Sequence, residues 1–210
     1  MVVTGSGSLR GADADDRDGK DQEDHAEGRF RRRAASGARR GGTDLMADAS
    51  AKPVGLAAEN APASRITVVR GYRPGLIARI TFMHAVYYAR TSGFGQRFES
   101  VVASGLAEFC GRLDNPRNEI WAAVLDDEIV GSIAVDGEDL GGNVAHLRWF
   151  IMDDRVRGSG TGRLLLSTAL AFADEHGFVE THLWTFKGLT AARYLYEKHG
   201  FSCVEERAGD

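Results

Sequence analysis

The chain has 210 residues, and its 26 Lys and Arg against 30 Asp and Glu give a formal net charge of −4 at pH 7. This length fits one full domain with an appendage, and the mildly acidic balance gives no reason to expect nucleic acid as a partner of that domain. No apolar run is long enough for a signal sequence or a membrane span. The two cysteines, Cys110 and Cys203, lack CxxC spacing, and the histidines and carboxylates lack metal-ligand spacing. These features predict a reduced, cytoplasmic protein with no metal and no membrane partner.

The first 64 residues differ sharply in composition from the rest. They contain a single aromatic residue, Phe30, an acidic block over 13–27 and a basic block over 29–40. Such a segment buries too little apolar surface to offset the entropy of ordering its backbone. The composition therefore predicts a disordered, low-complexity leader over residues 1–64. Its arginines could contact nucleic acid, although a solvated tail without a partner is the simpler interpretation, and Met46 could be the start of translation.

The apolar periodicity over residues 65–210 predicts one α/β domain, large enough to bury a core. A helix is expected over 76–89 and a second one along the apolar stripe of 98–109. Strands are expected at 66–69, 120–125, 129–135, 144–152, 181–186 and 201–205, with further helices at 164–176 and 189–199. Hairpins come first and a strand–helix–strand crossover follows. This order predicts a mixed, mostly antiparallel sheet with helices on both faces.

A glycine-rich stretch from Arg157 to Arg163, RGSGTGR, lies between the strand at 144–152 and the helix at 164–176. A strand-to-helix turn presents unpaired backbone N–H groups and the positive end of the helix dipole, which together favour a phosphate. Glycines let the backbone approach an anion without interference from a Cβ. The spacing matches neither the dinucleotide fingerprint GxGxxG nor the P-loop. A glycine-rich turn that caps the helix without a ligand is the alternative.

Two motifs together resemble the GNAT N-acetyltransferase family. The first is R/Q-x-x-G-x-G, matched from Arg157 and, in a second register, from Arg155; the first register is preferred because Arg163 then falls where that family's helix begins. The second is AxxLYExxGF over residues 192–201. The resemblance covers about residues 66–206, and within the family the chain looks like the acetyltransferase half of MarR-type regulator/GNAT fusion proteins. It implies the GNAT fold and an N-acetyltransferase that uses acetyl-CoA as its co-substrate.

The resemblance also implies where acetyl-CoA is held. In the family, the strand before the loop binds the pantetheine arm through backbone groups, and the loop binds the pyrophosphate. Carried over to this chain, ten residues are expected to bind the co-substrate: Phe150, Ile151, Met152, Arg157, Gly158, Ser159, Gly160, Thr161, Gly162 and Arg163. The thioester is expected where the strands at 144–152 and 181–186 splay apart, and a backbone N–H there can stabilise the oxyanion.

In this family the amine attacks directly, so no nucleophilic Ser or Cys is needed. Tyr196, the tyrosine of LYE, holds the family's position for the acid that steadies or protonates the departing thiolate. Packing on the core face of its helix is the structural interpretation, and the two are compatible. Tyr194 is a weaker candidate because it lies on another face of the helix. The base stays open: His146 and Glu138 are candidates, directly or through water, although a lone strand histidine is more often structural.

Two departures from the family pattern leave two functions open. The strand at 181–186 lacks the carboxylate that many relatives carry, and Gly188 or Leu189 stands where the family has an asparagine. The first interpretation is an active N-acetyltransferase on the primary amine of a small molecule, an amino acid or a peptide. The alternative is a non-catalytic acyl-CoA-binding regulatory module. Aromatic residues of the two early helices could line an amine pocket, although most are expected in the core.

The end of the chain raises a problem of sheet closure. GNAT domains usually finish with a further strand, which inserts between the last two strands expected here, at 181–186 and 201–205. Without that strand the slot would be empty, and an unpaired apolar edge invites association. The final strand could shift into the slot, a second copy could cover it as a homodimer, or the domain could be marginally stable. The sequence therefore predicts a truncated domain that self-associates.

Overall fold

The computed structural model describes residues 27–34 and 66–207, and the structural statements below concern these residues. They form one seven-stranded sheet and four α-helices. The strands are β1 (Glu27–Arg33), β2 (Thr67–Arg70), β3 (Glu119–Leu125), β4 (Glu128–Asp136), β5 (Val144–Met152), β6 (Glu180–Phe186) and β7 (Ser202–Arg207). The helices are α1 (Leu76–Ser92), α2 (Gln96–Cys110), α3 (Thr161–Glu175) and α4 (Thr190–Lys198), and a 3-10 turn spans Asp154–Val156. None of the helices in this described part is long and apolar enough to cross a membrane.

The strands lie in the order β2-β3-β4-β5-β6-β1-β7. Neighbouring strands are antiparallel except β5 and β6, which are parallel and joined by the crossover helix α3. The β3–β4 hairpin turns at Asp126 and Asp127, whose φ angles of 48° and 62° are the left-handed values that a tight two-residue turn requires. The predicted α/β class, the mixed sheet and the order of elements from residue 66 onward are confirmed.

The strand β1 comes from the segment that composition predicts to be disordered, so that prediction is wrong for residues 27–33. β1 runs antiparallel to β6, from Glu27 opposite Phe186 to Arg33 opposite Glu180, and pairs with β7 on its other side. The other residues of the 1–64 segment lie outside the described residues, apart from Ala34. β1 thus fills the slot between the last two strands, and the prediction of an empty slot is wrong. The reason given for self-association falls away with it.

Side-chain alternation along the strands divides the interior into two apolar clusters, one on each face of the sheet. Helices α3 and α4 cover one face, where β5 contributes Leu147 and Phe150 and β1 contributes Phe30. Helices α1 and α2 cover the other face, where β5 contributes Trp149 and Ile151. Strands β3, β4 and β5 are buried almost throughout, which explains why their sequences are apolar without a strict alternation.

Candidate active site

The two parallel strands at the centre of the sheet open into a fork. β5 pairs with β6 at three positions, Val144 with Glu180, Ala145 with Thr181 and His146 with His182, and the ladder ends at the third. Beyond this point β5 continues to Met152 and β6 to Phe186 as separate strands. Their facing backbone groups are therefore not tied up in the ladder between these two strands. This is the opening that the family resemblance implies for a thioester.

A bulge in β5 lies within this fork. Trp149 has φ 46°, a left-handed value that is strained for a bulky residue. The register between β4 and β5 shifts between Ser132 and Ala134, and the Ser132 hydroxyl donates to the Trp149 carbonyl oxygen at 2.7 Å. The bulge breaks the alternation of the strand, so that Leu147 packs on one face of the sheet and Trp149 on the other. Sequence reasoning missed it, because an apolar strand carries no signal of its register.

A cavity of about 1100 Å³ lies between the fork, the glycine loop and α4. Most of the residues predicted to bind a co-substrate line it: Phe150, Ile151, Met152, Arg157, Gly158, Gly160, Gly162 and Arg163. Tyr196 lines it as well. The structure thus brings the predicted strand, loop and tyrosine together around one space. Ser159, Thr161 and His146 are absent from the lining among the described residues.

The glycine loop owes its shape to two left-handed residues. Gly158 has φ 80° and Gly160 has φ 85°, and Gly160 is the N-cap of α3. Since the first amides of any helix have no partner within the helix, α3 directs the N–H groups of its first turn toward the loop. The Ser159 hydroxyl donates to the Val156 carbonyl oxygen at 2.7 Å and lies 2.8 Å from the Thr161 hydroxyl. These two hydroxyls brace the loop, and the expected contact of Ser159 and Thr161 with a pyrophosphate, through backbone N–H groups, stays a prediction.

The charged residues lining the cavity are basic. Arg157 donates to the Met152 carbonyl oxygen at 3.3 Å and pairs with Asp154 at 2.9 Å. Its guanidinium also lies 4.6 Å from the centre of the Tyr87 ring. The described lining further holds Arg163 and Lys198 and no carboxylate. This charge favours a ligand with phosphate groups.

Tyr196 is fully buried, and its hydroxyl has no hydrogen-bond partner among the described residues. Burial raises the pKa of its phenol well above the ordinary value. Tyr88, on α1, is equally buried; its own pKa is raised, first by burial and then by the nearby Tyr196. A buried polar atom without a partner is costly, so the Tyr196 hydroxyl marks a point where a ligand atom could be received.

His146 occupies the last paired position of β5, at the base of the fork. Its ring is fully buried. Its Nδ1 lies 2.5 Å from a carboxylate oxygen of Asp139, and the Trp184 ring stands edge-on to it at 4.7 Å between centroids. Burial lowers its pKa, against the hydrogen bond to Asp139, which raises it, and Arg148 adds to the lowering. His146 is therefore neutral at pH 7, but the structure does not bring it to the cavity beside Tyr196.

Glu138, the other base candidate, is an exposed member of a charge network that surrounds the buried Asp136, away from the cavity. It accepts hydrogen bonds from Arg112 at 2.7 Å and from the side-chain amide of Asn118 at 2.7 Å. In the same network Asp136, which is fully buried, accepts from Arg112 at 3.0 Å and from Arg148 at 3.2 Å. Burial, the largest single cause, would raise the pKa of Asp136, but the hydrogen bonds from Arg112 and the Glu138 N–H and the charges of Arg112 and Arg148 together outweigh it, and the pKa is lowered. These contacts give Glu138 a structural role.

Sequence reasoning missed the α4 side of the cavity. This side is lined by residues 188–192, Tyr194, Leu195, Lys198 and His199. Tyr87 of α1 lines the cavity as well. The positions 192, 195, 196 and 199 recur every three or four residues, the spacing of one helix face. That periodicity was available in the motif around Tyr196 and could have indicated the same face.

The sequence of this chain is similar to those of known proteins. The sequence model of the acetyltransferase (GNAT) family matches residues 83–201. N-acetylaspartate synthetase from Homo sapiens is 36% identical over 86 residues, which cover 41% of this chain and 28% of that protein. The Xenopus tropicalis protein of the same name is 34% identical over 92 residues, 44% of this chain and 34% of its own length. The match thus spans about a third of these curated relatives or less.

Solved structures share the fold at lower identity. A GNAT-family acetyltransferase from Staphylococcus aureus superposes with a TM-score of 0.54 at 17% identity, over 67% of this chain and 87% of that one. A protein from Pyrococcus horikoshii gives 0.56 at 21%, over 69% and 94%. A predicted acetyltransferase with acetyl-CoA from Clostridium acetobutylicum gives 0.54 at 15%, over 67% and 92%. At these identities the likeness shows the fold.

Proposed function

Because this chain belongs to the acetyltransferase (GNAT) family, we propose that it transfers the acetyl group of acetyl-CoA to the primary amine of a small molecule, an amino acid or a peptide. One observation carries the proposal. The glycine loop and the buried hydroxyl of Tyr196, which has no hydrogen-bond partner in the described part of the chain, line the same cavity, beside the fork between β5 and β6. An anion site and a proton donor are the two groups that this transfer needs around a CoA thioester.

The cavity has the features that acetyl-CoA requires. The loop and the first turn of α3 offer N–H groups for the pyrophosphate, and Arg157, Arg163 and Lys198 supply positive charge around it. On the side that faces β6, residues 150–152 of β5 are unpaired and offer backbone groups to the pantetheine arm. A volume of about 1100 Å³ lies just above the usual range of roughly 300–1,000 Å³ for small-molecule sites, which suits a ligand as long as CoA.

In the proposed reaction the amine nitrogen attacks the thioester carbonyl carbon, and the carbon–sulfur bond then breaks. The amine gives up a proton to a base, and the sulfur leaves with the bonding electrons. We assign to Tyr196 the donation of a hydrogen bond or a proton to that sulfur. Its raised pKa keeps the phenol protonated at neutral pH, so it is available as a donor. A backbone N–H beyond the Trp149 bulge would stabilise the oxyanion.

We keep His146 as the proposed base because it is neutral at pH 7 and lies where β5 and β6 separate. Its contact with Asp139 would fix the orientation of the ring and stabilise the imidazolium once a proton arrives. Because the ring is buried, the proton would reach it through water. His146→Gln should therefore lower turnover. It should also remove the fall in turnover at low pH that protonation of the base causes in the unaltered chain. An unchanged pH profile would exclude His146 as the base.

The acceptor is proposed from the relatives. Two of the curated proteins that resemble this chain are named N-acetylaspartate synthetases, so L-aspartate is the first amine to test. The match covers less than half of this chain, and an amine panel should therefore also include other amino acids, polyamines and peptides. Thiol release from acetyl-CoA identifies the acceptor.

Tyr196→Phe tests the proposed function, because it keeps the ring and removes the proton. We expect turnover to fall by roughly ten- to a thousandfold, the range of lost acid catalysis, while acetyl-CoA affinity measured by calorimetry hardly changes. Tyr72→Phe is the matched control, since Tyr72 is 57% exposed and absent from the cavity lining among the described residues. If Tyr196→Phe turns over like the unaltered chain, Tyr196 is a packing residue and not the acid.

Two observations favour a second function. The described residues that line the cavity include no carboxylate, and both base candidates are held by neighbouring groups. These features, with the resemblance to the acetyltransferase half of MarR-type fusion proteins, suit an acyl-CoA-binding module that regulates without catalysis. Tight acetyl-CoA binding with no thiol release across the whole amine panel would establish this function instead.

A further inference from the structure

The N-terminal strand β1 is attached to three other elements. It pairs with β6 and with β7, and the Ala34 N–H extends the ladder by donating to the Val179 carbonyl oxygen at 3.0 Å. Arg32 reaches across to α3, where it donates two hydrogen bonds of 2.9 Å to the carboxylate of Asp174. These attachments give the seven residues of β1 a defined position in the sheet.

Phe30 is the residue by which β1 reaches the active site. It is 2% exposed, and its ring centre lies 6.3 Å from that of Tyr196. The Arg193 guanidinium lies 5.5 Å from the Phe30 ring centre. Arg193 and Tyr196 are three residues apart on α4 and therefore share one face of that helix. Phe30 packs beneath the face of α4 that carries the phenol.

Packing orients the Tyr196 side chain. Its hydroxyl has no hydrogen-bond partner among the described residues, so no polar contact in that part of the chain fixes the ring. Aromatic neighbours surround it instead: Phe30, Phe150 at 6.2 Å and Phe201 at 5.9 Å between ring centres. These three come from β1, from β5 and from the segment after α4. Loss of Phe30 would leave the ring without its neighbour on the β1 side.

We propose that Phe30 is a positioning residue for acetyl transfer: through its contact with the Tyr196 ring, the N-terminal strand holds the phenol where it meets the departing sulfur. The proposal rests on the proposed role of Tyr196. It makes a strand from the beginning of the chain part of the machinery that the glycine loop and α4 form near its end. A misplacement of about 1 Å in a catalytic group can cost about a hundredfold in rate, so this contact has kinetic consequences.

The test is a double-mutant cycle in the full chain. Phe30→Ala and Phe30→Leu are made with Tyr196 and with Tyr196→Phe, and kcat and KM are measured with acetyl-CoA and L-aspartate at a temperature where every variant is folded. With Tyr196 present, Phe30→Ala should lower kcat at least about tenfold with little change in KM for acetyl-CoA, and Phe30→Leu should restore most of it. In the Tyr196→Phe chain, Phe30→Ala should cost nothing further. Equal losses in both backgrounds would overturn the proposal.

A second measurement is independent of the acceptor. The chain contains five tyrosines, so labelling with 3-fluorotyrosine gives five fluorine resonances, of which Tyr196→Phe identifies one. Phe30→Ala should shift or broaden that resonance, whereas the control Arg32→Ala should not, because Arg32 contacts Asp174. An unmoved resonance overturns the positioning role. If Tyr196→Phe turns over normally, the acid role fails on its own, and the resonance still decides what Phe30 does to Tyr196.

Discussion

Removing the N-terminal strand should destabilise the whole domain. A chain that lacks residues 1–34 loses β1, and β7 then loses the strand with which it pairs. The facing edge of β6 is exposed in the same step. A chain that lacks residues 1–26 keeps β1 and controls for shortening as such. The acidic composition of the residues that it removes predicts little buried apolar surface, so its Tm should match that of the full chain.

The size of the effect can be bounded from Phe30 alone. Its side chain is 2% exposed, and burying a phenylalanine contributes about 1.5–3 kcal/mol. For a domain of this size each kcal/mol corresponds to a shift in Tm of about 2–4 °C. Phe30 therefore accounts for a fall of about 3–12 °C. Arg32 and Asp174 add little, since an ion pair that stays partly open to solvent contributes about 0–1 kcal/mol.

Thermal unfolding followed by circular dichroism measures the shift in Tm, and light scattering on a chromatographed sample measures association. We expect the chain without residues 1–34 to melt at least several degrees lower and to form larger species, because an unpaired sheet edge templates pairing with other chains. A monodisperse chain that melts together with the 1–26 truncation would refute the reasoning, since the slot between β6 and β7 would then close without β1.

Two further predictions concern the loop and acid stability. Gly160→Val should lower CoA affinity at least about tenfold, about 1.4 kcal/mol, because a Cβ would stand where the backbone meets the pyrophosphate. Gly141→Val, at φ 62° and outside the described cavity lining, should show the same backbone strain and unchanged affinity in calorimetry; equal losses would contradict the assignment. The pKa of Asp136 is lowered, and the hydrogen bond from Arg155 lowers the pKa of Asp153 to about 2. Both carboxylates stabilise the folded state at pH values above their unfolded pKa of about 3.9. The Tm should therefore fall as the pH drops from about 4 toward 2, and a Tm that stays constant over that range would be the contrary result.

Local pattern was sufficient for most of the domain. The strand at 144–152 has the predicted bounds, because its apolar run is bordered by loop and turn residues on both sides. The glycine loop was identified from its spacing, but the spacing did not reveal that the Ser159 and Thr161 hydroxyls hydrogen bond to each other. Whether a loop side chain faces outward depends on bonds that close the loop, and residue type does not reveal them.

Tertiary register accounts for what was missed within the site. The left-handed Trp149 exists because β4 and β5 pair out of step around it, and a single strand does not encode the register of its neighbour. His146 was chosen by residue type and by its position on the strand. The contact with Asp139, which holds it in the sheet, joins a loop to a strand and leaves no local signature in the sequence.

The strand β1 shows how two wrong expectations could have corrected each other. Averaged over 64 residues, the leader has too few apolar residues to fold alone. The segment EGRFRRR nevertheless needs only one apolar side chain directed into the core, because β6 and β7 form both sides of the slot that it enters. Its arginines meet carboxylates there, with Arg29 beside Glu205 at 3.3 Å and Arg31 and Arg33 near Glu180 at 3.5 and 3.6 Å. The sequence predicted an empty position between β6 and β7 and, separately, a basic segment with one aromatic residue and no partner. The basic segment fills the empty position. The composition of a segment determines whether it folds alone, whereas the pairing of a strand that completes a sheet depends on the sheet edges beside it.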